Sequence, residues 1–323
     1  MPRRQETGGA RAWLRSAVRF VLVGLLVYVG LYVASEALVA RHAQRNRFFM
    51  VNTAPSSDYD YVILGASHAA TFDYRGMNAR LEAMTGSSIL NLSIEGAGIT
   101  VNRFVLDYFL GNHRTGAVVY VVDSFSFYSR EWNDARLQDT ALYQRAPFDP
   151  ALGWQLLRRP ATFSVALDYL SGFSKINNSG RFAPDLFDAE TSRFDRSYRP
   201  VPQIDRQRIA YLYPPGIDES RLRDNPYLAE LEALIRDLQA RAIRVLIIRP
   251  PIPRRMYDMI PGEPEFDATL EALVARHGVT YHDFASVNNE EALFFDSDHL
   301  NQDGVLQFFE NHLRKVLIDG RGE

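Results

Sequence analysis

Two short stretches of this sequence carry residues suited to nucleophilic chemistry. The first, "YVILGASHAATFDY" (61–74), runs four apolar residues into Gly65, and Ser67 follows at the expected start of a helix. Serine is among the preferred N-cap residues, so Ser67 taken alone fits a plain helix cap as well as a nucleophile. The nucleophilic interpretation requires a base, because a free hydroxyl is a poor nucleophile near neutral pH.

The second stretch, "FFDSDHLNQDG" (294–304), supplies a candidate base. Asp296 and His299 are separated by two residues, so one turn of the chain can bring the carboxylate against the imidazole and fix its tautomer. Asn301 is placed to cap the helix that follows. The neighbouring Asp298 is expected to point into solvent. In isolation the same residues also fit a surface turn before a capped helix.

Composition narrows the chemistry further. The 323-residue chain is 46% hydrophobic and 23% charged, which is typical of a folded, core-forming protein. Its net charge of -3 gives no reason to expect a nucleic-acid partner. The chain has no cysteine, which excludes disulfides, thiolate catalysis and cysteine-ligated metals. The predicted chemistry requires no metal and no cofactor.

The elements that must position these residues alternate along the chain. Short β-branched runs, typical of parallel strands covered on both faces, lie at 61–64, 88–93, 117–123, 244–250 and 279–284. Segments with helical spacing lie at about 74–85, 100–111, 226–241, 265–277 and 302–315. This alternation predicts an α/β fold, a three-layer α/β/α sandwich around one parallel sheet. Such sheets bind ligands at the carboxyl ends of their strands, which is where Ser67 falls.

The N-terminal residues predict a membrane anchor at 18–40. The uncharged stretch "FVLVGLLVYVGLYVAS" (20–35) is long enough to cross about 30 Å of hydrocarbon as a helix. The leader (1–17) is basic, so the positive-inside rule keeps it cytoplasmic and exports the rest of the chain. A cleaved signal peptide ending at "VAS" (33–35) is the main alternative, and a buried core helix is another.

The rest of the chain divides into a tether and one large domain. Residues 41–57 are expected to form a polar tether, followed by the domain at 58–320. Within that domain, 124–225 holds no clear buried strand, and a structureless loop of that length is uncommon in a compact domain. We therefore predict an insertion with its own helices near 150–173, which serves either as an elaborated scaffold loop or as a lid or docking surface.

Three blocks taken together resemble the SGNH (GDSL-like) hydrolase family. They are the strand–"GAS"–helix opening, "NLSIEGAG" (91–98) and the closing "DSDHLN" (296–301), and the order of elements matches from about 58 to 317. "GASHA" ends in alanine, so it misses the Gly-x-Ser-x-Gly elbow of the α/β-hydrolases.

This resemblance implies roles for particular residues. It implies a flavodoxin-like SGNH fold and a catalytic triad in which Ser67 is the nucleophile, His299 the base and Asp296 the acid that orients it. It also implies an oxyanion hole built from the Ser67 amide and a glycine amide of the second block. Gly96 is the match for that glycine, and Gly98 is the alternative.

The third block departs from the family pattern. After the third strand the family has Gly-x-Asn-Asp, whose asparagine donates to the oxyanion, but this chain has "VVDSFSF" with Asp123 and Ser124. Losing one such donor typically costs about 3 kcal/mol of transition-state stabilisation, so either Ser124 or a residue of the insertion replaces it, or the protein is a slow or non-classical member of the family. We expect Asp123 and Ser124 to bind substrate. Adjacent side chains on a helix do not face one another, so His68 is also expected to line the pocket and contact substrate.

An anchor ahead of such a domain also resembles DltD, the D-alanyl transfer protein, and accessory proteins of polysaccharide O-acetylation. That resemblance implies a membrane-bound O-acyltransferase (MBOAT) as partner and a cell-envelope polysaccharide or teichoic-acid-like polymer as acceptor. The sequence thus predicts a serine acyltransferase or esterase moving acetyl or D-alanyl groups, anchored in the cytoplasmic membrane with a periplasmic or extracellular domain. The alternatives are a non-catalytic polymer-binding partner of the acyltransferase and a lipid-acting esterase.

Overall fold

The computed structural model describes residues 6–178, 192–213, 222 and 224–319. It divides the chain into two compact units. The helical unit comprises Met1–Phe49 and Thr140–Asp185, and the sheet unit comprises Met50–Asp139 and Leu186–Glu323.

Five parallel strands form the sheet among the described residues, in the order β2-β1-β3-β4-β5. Their bounds are β1 Asp58–Leu64, β2 Ile89–Asn91, β3 Arg114–Val121, β4 Arg244–Arg249 and β5 Thr280–Asp283. Each predicted run falls on one of these strands, so the sheet prediction is confirmed. The strand order reverses beside β1, which makes the carboxyl end of β1 a topological switch point.

Helices connect the strands. Their bounds are α1 Glu6–His42, α2 Arg47–Asn52, α3 Ser67–Ala70, α4 Met77–Thr85, α5 Ile99–Leu110, α6 Asp134–Leu137, α7 Pro150–Leu157, α8 Phe163–Ser171, α9 Phe173–Asn177, α10 Pro202–Leu212, α11 Pro226–Ala240, α12 Arg254–Tyr257, α13 Glu263–Arg276, α14 Gln302–Phe308 and α15 Arg314–Asp319. Short 3₁₀ turns lie at Thr71–Gly76, Ser124–Phe127, Thr140–Leu142, Pro160–Thr162 and Glu291–Leu293, and a π-helical turn lies at Phe309–Leu313.

Both faces of the sheet are buried. Tyr61 and Ile63 of β1 belong to a core cluster that also includes Phe308, at the end of α14. Val62 and Leu64 point to the opposite face and are equally buried, and on that side α5 packs against β3 and α11 against β4. Strands buried on both faces explain why their sequences read as continuous apolar runs. The predicted three-layer sandwich is confirmed.

The helical unit contains α1, a helix of 37 residues. From Gly9 onward this helix is long and apolar enough to cross a membrane, and its most apolar part is not buried inside the protein. Residues 6–17 of the predicted leader continue the same helix, and residues 1–5 lie outside the described residues.

The prediction of a polar tether at 41–57 is wrong. The first two of these residues end α1, and 47–52 form α2. Ala43 and Phe48 are buried, and the Phe48 ring stacks on Tyr143 with ring centroids 5.4 Å apart. The arginines of this stretch gave it a polar composition, but its few apolar residues are enough to fold it.

The predicted insertion at 124–225 divides between the two units. Residues 140–178 belong to the helical unit, and α7 and α8 confirm the helices predicted near 150–173. Residues 124–139 and 192–213 belong to the sheet unit. The remaining parts of the interval, 179–191, 214–221 and 223, lie outside the described residues.

Candidate active site

Ser67 stands directly after β1, and the turn that places it there requires a glycine. Gly65 has φ +148°, and a Cβ at this position would lie 2.8 Å from both the Ala69 Cβ and the Val121 carbonyl oxygen. Ala66 is the N-cap of α3, and Ser67 is the first helical residue, with no side-chain capping bond at this terminus. The interpretation of Ser67 as a plain cap is therefore wrong, and its hydroxyl is available for another partner.

That partner is His299. Ser67 Oγ lies 2.8 Å from His299 Nε2, and His299 Nδ1 lies 2.9 Å and 3.0 Å from the two carboxylate oxygens of Asp296. In the neutral imidazole, Nδ1–H donates to Asp296, so Nε2 is left to accept the hydroxyl proton of Ser67. The structure thus brings together the three residues predicted to act as a triad.

The backbone around His299 explains this geometry. Asp296 Oδ1 accepts the backbone N–H groups of Asp298 at 3.1 Å and His299 at 2.9 Å, so one carboxylate both shapes the turn and meets the imidazole. Asn301 Oδ1 accepts the Gly304 N–H at 2.9 Å, which confirms the predicted cap of α14. The cap fixes the end of the turn against the start of the helix.

The two candidate oxyanion glycines differ in availability. The Gly98 N–H donates to the Trp132 carbonyl at 2.6 Å and is committed to that bond. Gly96 has φ +65° and lines the cavity that Ser67 also lines. The Ser67 N–H belongs to the first turn of α3, whose amides have no acceptor within the helix. Of the two glycines, Gly96 is the better candidate.

Asn102 holds these loops together, and sequence reasoning missed it. Its Oδ1 accepts the Gly65 N–H at 2.9 Å, and its Nδ2 donates to the carbonyls of Ala97 at 3.1 Å and Gly98 at 2.8 Å. The loop after β1 is thereby joined to the loop after β2. The signal available in the sequence was weak: one asparagine, next to an arginine, in the mainly apolar start of α5, "ITVNRFVL".

A buried network of charged and polar groups adjoins the imidazole of His299. Asp298, which was expected in solvent, is 3% exposed, and its carboxylate lies 3.3 Å from His299 Nδ1. It accepts from Arg208 Nε at 3.0 Å and 3.1 Å. His68 Nε2 lies 3.7 Å from Asp298, and His68 Nδ1 lies 2.6 Å from Asp123 Oδ1. The prediction that Asp298 faces solvent is wrong, because α10 supplies a guanidinium that neutralises it inside the protein.

His68, Asp123 and Ser124, which were predicted to contact substrate, do not line the cavity that contains Ser67. They line a separate cavity of about 20 Å³, too small for a substrate group. Ser124 Oγ donates to the Glu263 carboxylate at 2.6 Å and lies 2.8 Å from the Tyr213 hydroxyl. The 3₁₀ turn that follows β3 buries these side chains.

The two neighbouring carboxylates set the protonation of His299. Burial lowers the pKa of the imidazole, but the charges and hydrogen bonds of Asp296 and Asp298 outweigh burial and raise the pKa of His299 to about 10. Burial raises the pKa of each carboxyl. Arg208 outweighs that effect at Asp298 and His299 outweighs it at Asp296, so both pKa values lie below the usual range. At neutral pH the resting site therefore holds an imidazolium between carboxylates.

The cavity beside Ser67 has a volume of about 470 Å³. Its walls combine aromatic rings with guanidinium groups: Tyr74, Phe125, Trp132, Tyr211 and Phe295 on one hand, Arg136, Arg193 and Arg208 on the other. Glu95 and Leu212 also line it. Several of these residues come from 124–139 and 192–213. These segments are rich in aromatic and basic residues, but no motif in them indicated a role in the site.

One group of side chains among the described residues has the composition of a metal site. Ligand atoms of His68, Asp298 and His299 lie within 4.8 Å of one another. The Arg208 guanidinium contacts Asp298, His68 Nδ1 contacts Asp123, and His299 Nε2 contacts Ser67. Because a cation already occupies the side of Asp298 and the imidazoles have other partners, this arrangement suits an ion-pair network better than a metal ion.

Comparison with known proteins found similarity to solved structures. No protein-family model and no curated protein matches the chain. Among solved structures, it is similar to a protein of Bacteroides fragilis NCTC 9343 provisionally described as an acylhydrolase. The identity is 12% and the TM-score 0.40, over 83% of this chain and 89% of that one. Similarity at this level carries no argument about function, so that argument rests on the geometry of the site.

Proposed function

We propose that the protein is a membrane-anchored serine acyltransferase or esterase of the SGNH type that acts on the exported side of the membrane. The observation that carries this proposal is the chain of contacts from Ser67 through His299 to Asp296 in the wall of a cavity of about 470 Å³. Nucleophile, base and orienting acid within hydrogen-bond reach form the recognised arrangement for acyl transfer through a covalent intermediate.

The proposed reaction has two half-reactions. Ser67 Oγ attacks the acyl carbonyl while its proton passes to His299 Nε2, and the same proton then goes to the departing alkoxide. The acyl-enzyme is attacked by an acceptor hydroxyl, whose proton passes to His299 and then to Ser67 as the ester bond to the enzyme breaks. The amides of Ser67 and Gly96 are placed to stabilise the oxyanion in both halves.

The composition of the cavity supports a polyhydroxylated acceptor. Aromatic rings offer flat apolar surfaces for the carbon faces of a sugar, and guanidinium groups donate hydrogen bonds to hydroxyl or carboxylate oxygens. We therefore propose a cell-envelope polysaccharide or related polymer as acceptor, with acetyl or D-alanyl as the acyl group. A membrane-bound O-acyltransferase is the proposed partner that supplies the acyl group. Water as acceptor makes the same site an esterase.

A second function is favoured by one specific observation. Asp123 occupies the place where an SGNH enzyme carries its oxyanion-donating asparagine, and it is committed to His68. A chain without that donor fits a polymer-binding partner that presents substrate to the acyltransferase and performs no chemistry itself.

A fluorophosphonate probe separates the two functions. In the catalytic case Ser67 Oγ displaces fluoride from phosphorus, so the wild-type protein is labelled and Ser67→Ala is not. Ser124→Ala is the matched control, because Ser124 also follows a strand of the sheet but lies outside the cavity, and it should still be labelled. Absence of labelling in the folded wild-type protein would favour the non-catalytic partner.

The proposed location has its own test. A reporter enzyme that works only on the exported side of the membrane is fused after residue 323. Activity of that reporter is expected, and activity of a cytoplasm-only reporter at the same position would reverse the proposed topology.

A further inference from the structure

Two helices of the helical unit carry large apolar side chains on their exposed faces as well as on their buried faces. The helix α7 reads "PALGWQLL" and α8 reads "FSVALDYLS". A surface helix of a protein in water normally carries polar and charged residues on its outer face. In each helix one face packs inside the unit, through Leu152 and Leu156 of α7 and through Val165 and Tyr169 of α8. Folding of the unit therefore leaves other large apolar side chains of these helices uncovered.

The uncovered side chains form a group in this part of the sequence. Five large apolar side chains of this region are between 46% and 62% exposed: Phe148, Trp154, Phe163, Leu167 and Phe173. We call these five residues the apolar platform. Phe163 and Leu167 are four residues apart and so lie on one stripe of α8. Five large apolar side chains this exposed within 26 positions mark an interaction surface.

Contacts with α1 fix the position along that helix at which the end of α8 and the start of α9 lie. The Tyr28 hydroxyl donates to the Ser171 carbonyl at 2.9 Å, and the Lys175 ammonium pairs with the Glu36 carboxylate. Between them, Gly172 packs against the Tyr32 ring so closely that a Cβ would lie 2.2 Å from it. Tyr28, Tyr32 and Glu36 recur every four residues, so one stripe of α1 makes all of these contacts.

This stripe covers the outer end of the apolar part of α1. From Tyr28 to Glu36 the helix rises about 12 Å, at about 1.5 Å per residue. The uncharged stretch of α1 ends at Ser35, so Glu36 lies at the level where this helix leaves the hydrocarbon. The end of α8 and the start of α9 consequently lie at the depth of the outer lipid leaflet and its headgroups.

We infer that the apolar platform is embedded in the outer interface of the bilayer that α1 spans. Lipid is the occupant because the platform is continuous with α1: Val29, Leu31 and Val33 of the same levels are also exposed, and a spanning helix presents such residues to lipid. Interfacial helices bury their apolar face about 5–10 Å into the boundary between headgroups and acyl chains. The inference rests on α1 spanning the membrane, and it is independent of the proposed catalytic activity.

The same contacts bear on the fate of α1. Cleavage at "VAS" (33–35) would remove Tyr28 and Tyr32 from the folded unit. It would also leave Gly172 facing an empty place and the Ser171 carbonyl without its donor. An N-terminal segment that is built into the packing of a downstream unit suits a permanent anchor better than a discarded signal peptide. Lys175 and Glu36 neutralise one another near the membrane surface, where an unpaired charge is costly.

The absence of cysteine makes a direct test possible in the full-length protein. Single cysteines at Phe163 and Phe173 are spin-labelled, and the protein is reconstituted alone into lipid nanodiscs. Collision of each label with oxygen, which concentrates in lipid, is compared with collision with a water-soluble nickel chelate. Leu25→Cys, on the exposed apolar surface of α1, is the lipid control, and Glu271→Cys, exposed on α13 of the sheet unit, is the water control.

We expect the oxygen-to-nickel ratio at Phe163→Cys and Phe173→Cys to approach that of Leu25→Cys and to exceed that of Glu271→Cys severalfold. A ratio equal to that of Glu271→Cys would overturn the inference, because the platform would then face water. Exclusion of both reagents would overturn it as well, since a second protein surface would then cover the platform. The four positions are exposed, so the substitutions leave the packed interior unchanged.

Discussion

The two units of this protein distribute apolar and charged residues in opposite ways. The sheet unit buries its apolar side chains on both faces of the sheet and lines its cavity with rings and guanidinium groups. The helical unit exposes large apolar side chains on α1, α7, α8 and α9 and buries a lysine in contact with a glutamate. Opposite distributions indicate different surroundings: the sheet unit has the composition of a protein in water, and the helical unit that of a protein in contact with lipid.

The buried charges of the two units also differ in what they contact. In the helical unit, Lys175 and Glu36 form a pair that joins two helices, and Glu36 also accepts the Phe148 N–H. In the sheet unit, Asp298 is shared between Arg208 and His299, and His299 also contacts the hydroxyl of Ser67. Breaking the first pair should therefore change stability alone, whereas changing the second should alter reactivity.

The largest effect is expected at the triad. Ser67→Ala or His299→Ala should lower the rate of ester cleavage by on the order of 10⁴–10⁶, because nucleophile and base act as one unit. Lys175→Met, a change in the other unit, should leave that rate unchanged. Turnover of a small acetyl ester measures both. A comparable loss of rate in Lys175→Met would show that the two units are not functionally separate.

The second prediction concerns pH. His299 must lose its proton to act as a base and has a pKa raised to about 10, so kcat/KM should rise with pH up to about pH 10. Asp298→Asn removes one of the two carboxylates that raise this pKa, and the rising limb should move to lower pH. A pH-rate profile of both proteins measures the shift. An unmoved limb would mean that Asp298 does not influence the base.

Stability should change in the opposite direction over the same range. The folded pKa of His299 lies above its ordinary value of about 6.5. The stabilisation from this group is therefore complete below about pH 6.5 and is lost as pH rises through about 10. Denaturant titrations at several pH values should show a falling free energy of unfolding where the rate rises. The decline should be smaller in Asp298→Asn, since that variant has less of this stabilisation to lose.

The third prediction is that loss of one ion pair destabilises the helical unit and leaves the sheet unit unchanged. Lys175→Met leaves the Glu36 carboxylate without its cationic partner, and breaking a buried ion pair in this way costs about 3–5 kcal/mol. Hydrogen exchange of the full-length protein should accelerate in α8 and α9 and remain unchanged in β1 and β3. The matched control is Arg254→Met, which breaks an exposed i,i+4 pair with Asp258 and should change exchange very little. Equal acceleration in the strands would contradict the division.

The smallest effect is expected at Asp123. Asp123→Asn restores the residue type of the SGNH pattern, and an amide oxygen can still accept from His68 Nδ1–H. Because Asp123 is buried outside the main cavity, we expect less than about a tenfold change in ester cleavage and no change in preference between acyl groups. Rates with a neutral acetyl ester and with a D-alanyl ester measure this. A lower rate with only one of the two esters would show that Asp123 contacts the substrate.

The sequence predicted those parts of the site that depend on local pattern. The strands were legible as β-branched runs, and Ser67, Asp296 and His299 stood in short motifs next to a strand or a helix cap. Asp298 was mispredicted because its partner, Arg208, is 90 positions away in a segment without a motif. Asn102 and the aromatic wall were missed for the same reason: their roles depend on which loops the sheet brings together. Residues 41–57 were misassigned because average polarity conceals a few buried apolar side chains.

The contact between Ser67 and His299 joins residues 232 positions apart in the chain. Synthesis and export deliver the N-terminal side first, so the serine emerges long before the histidine that activates it. Parallel sheets with distant partners also form slowly. An incomplete chain accordingly carries a nucleophile without a base and is chemically inert. The proposed acyl transfer should begin only when the last strand and the turn after it have joined the sheet, so that nearby esters are not attacked by a partly folded chain.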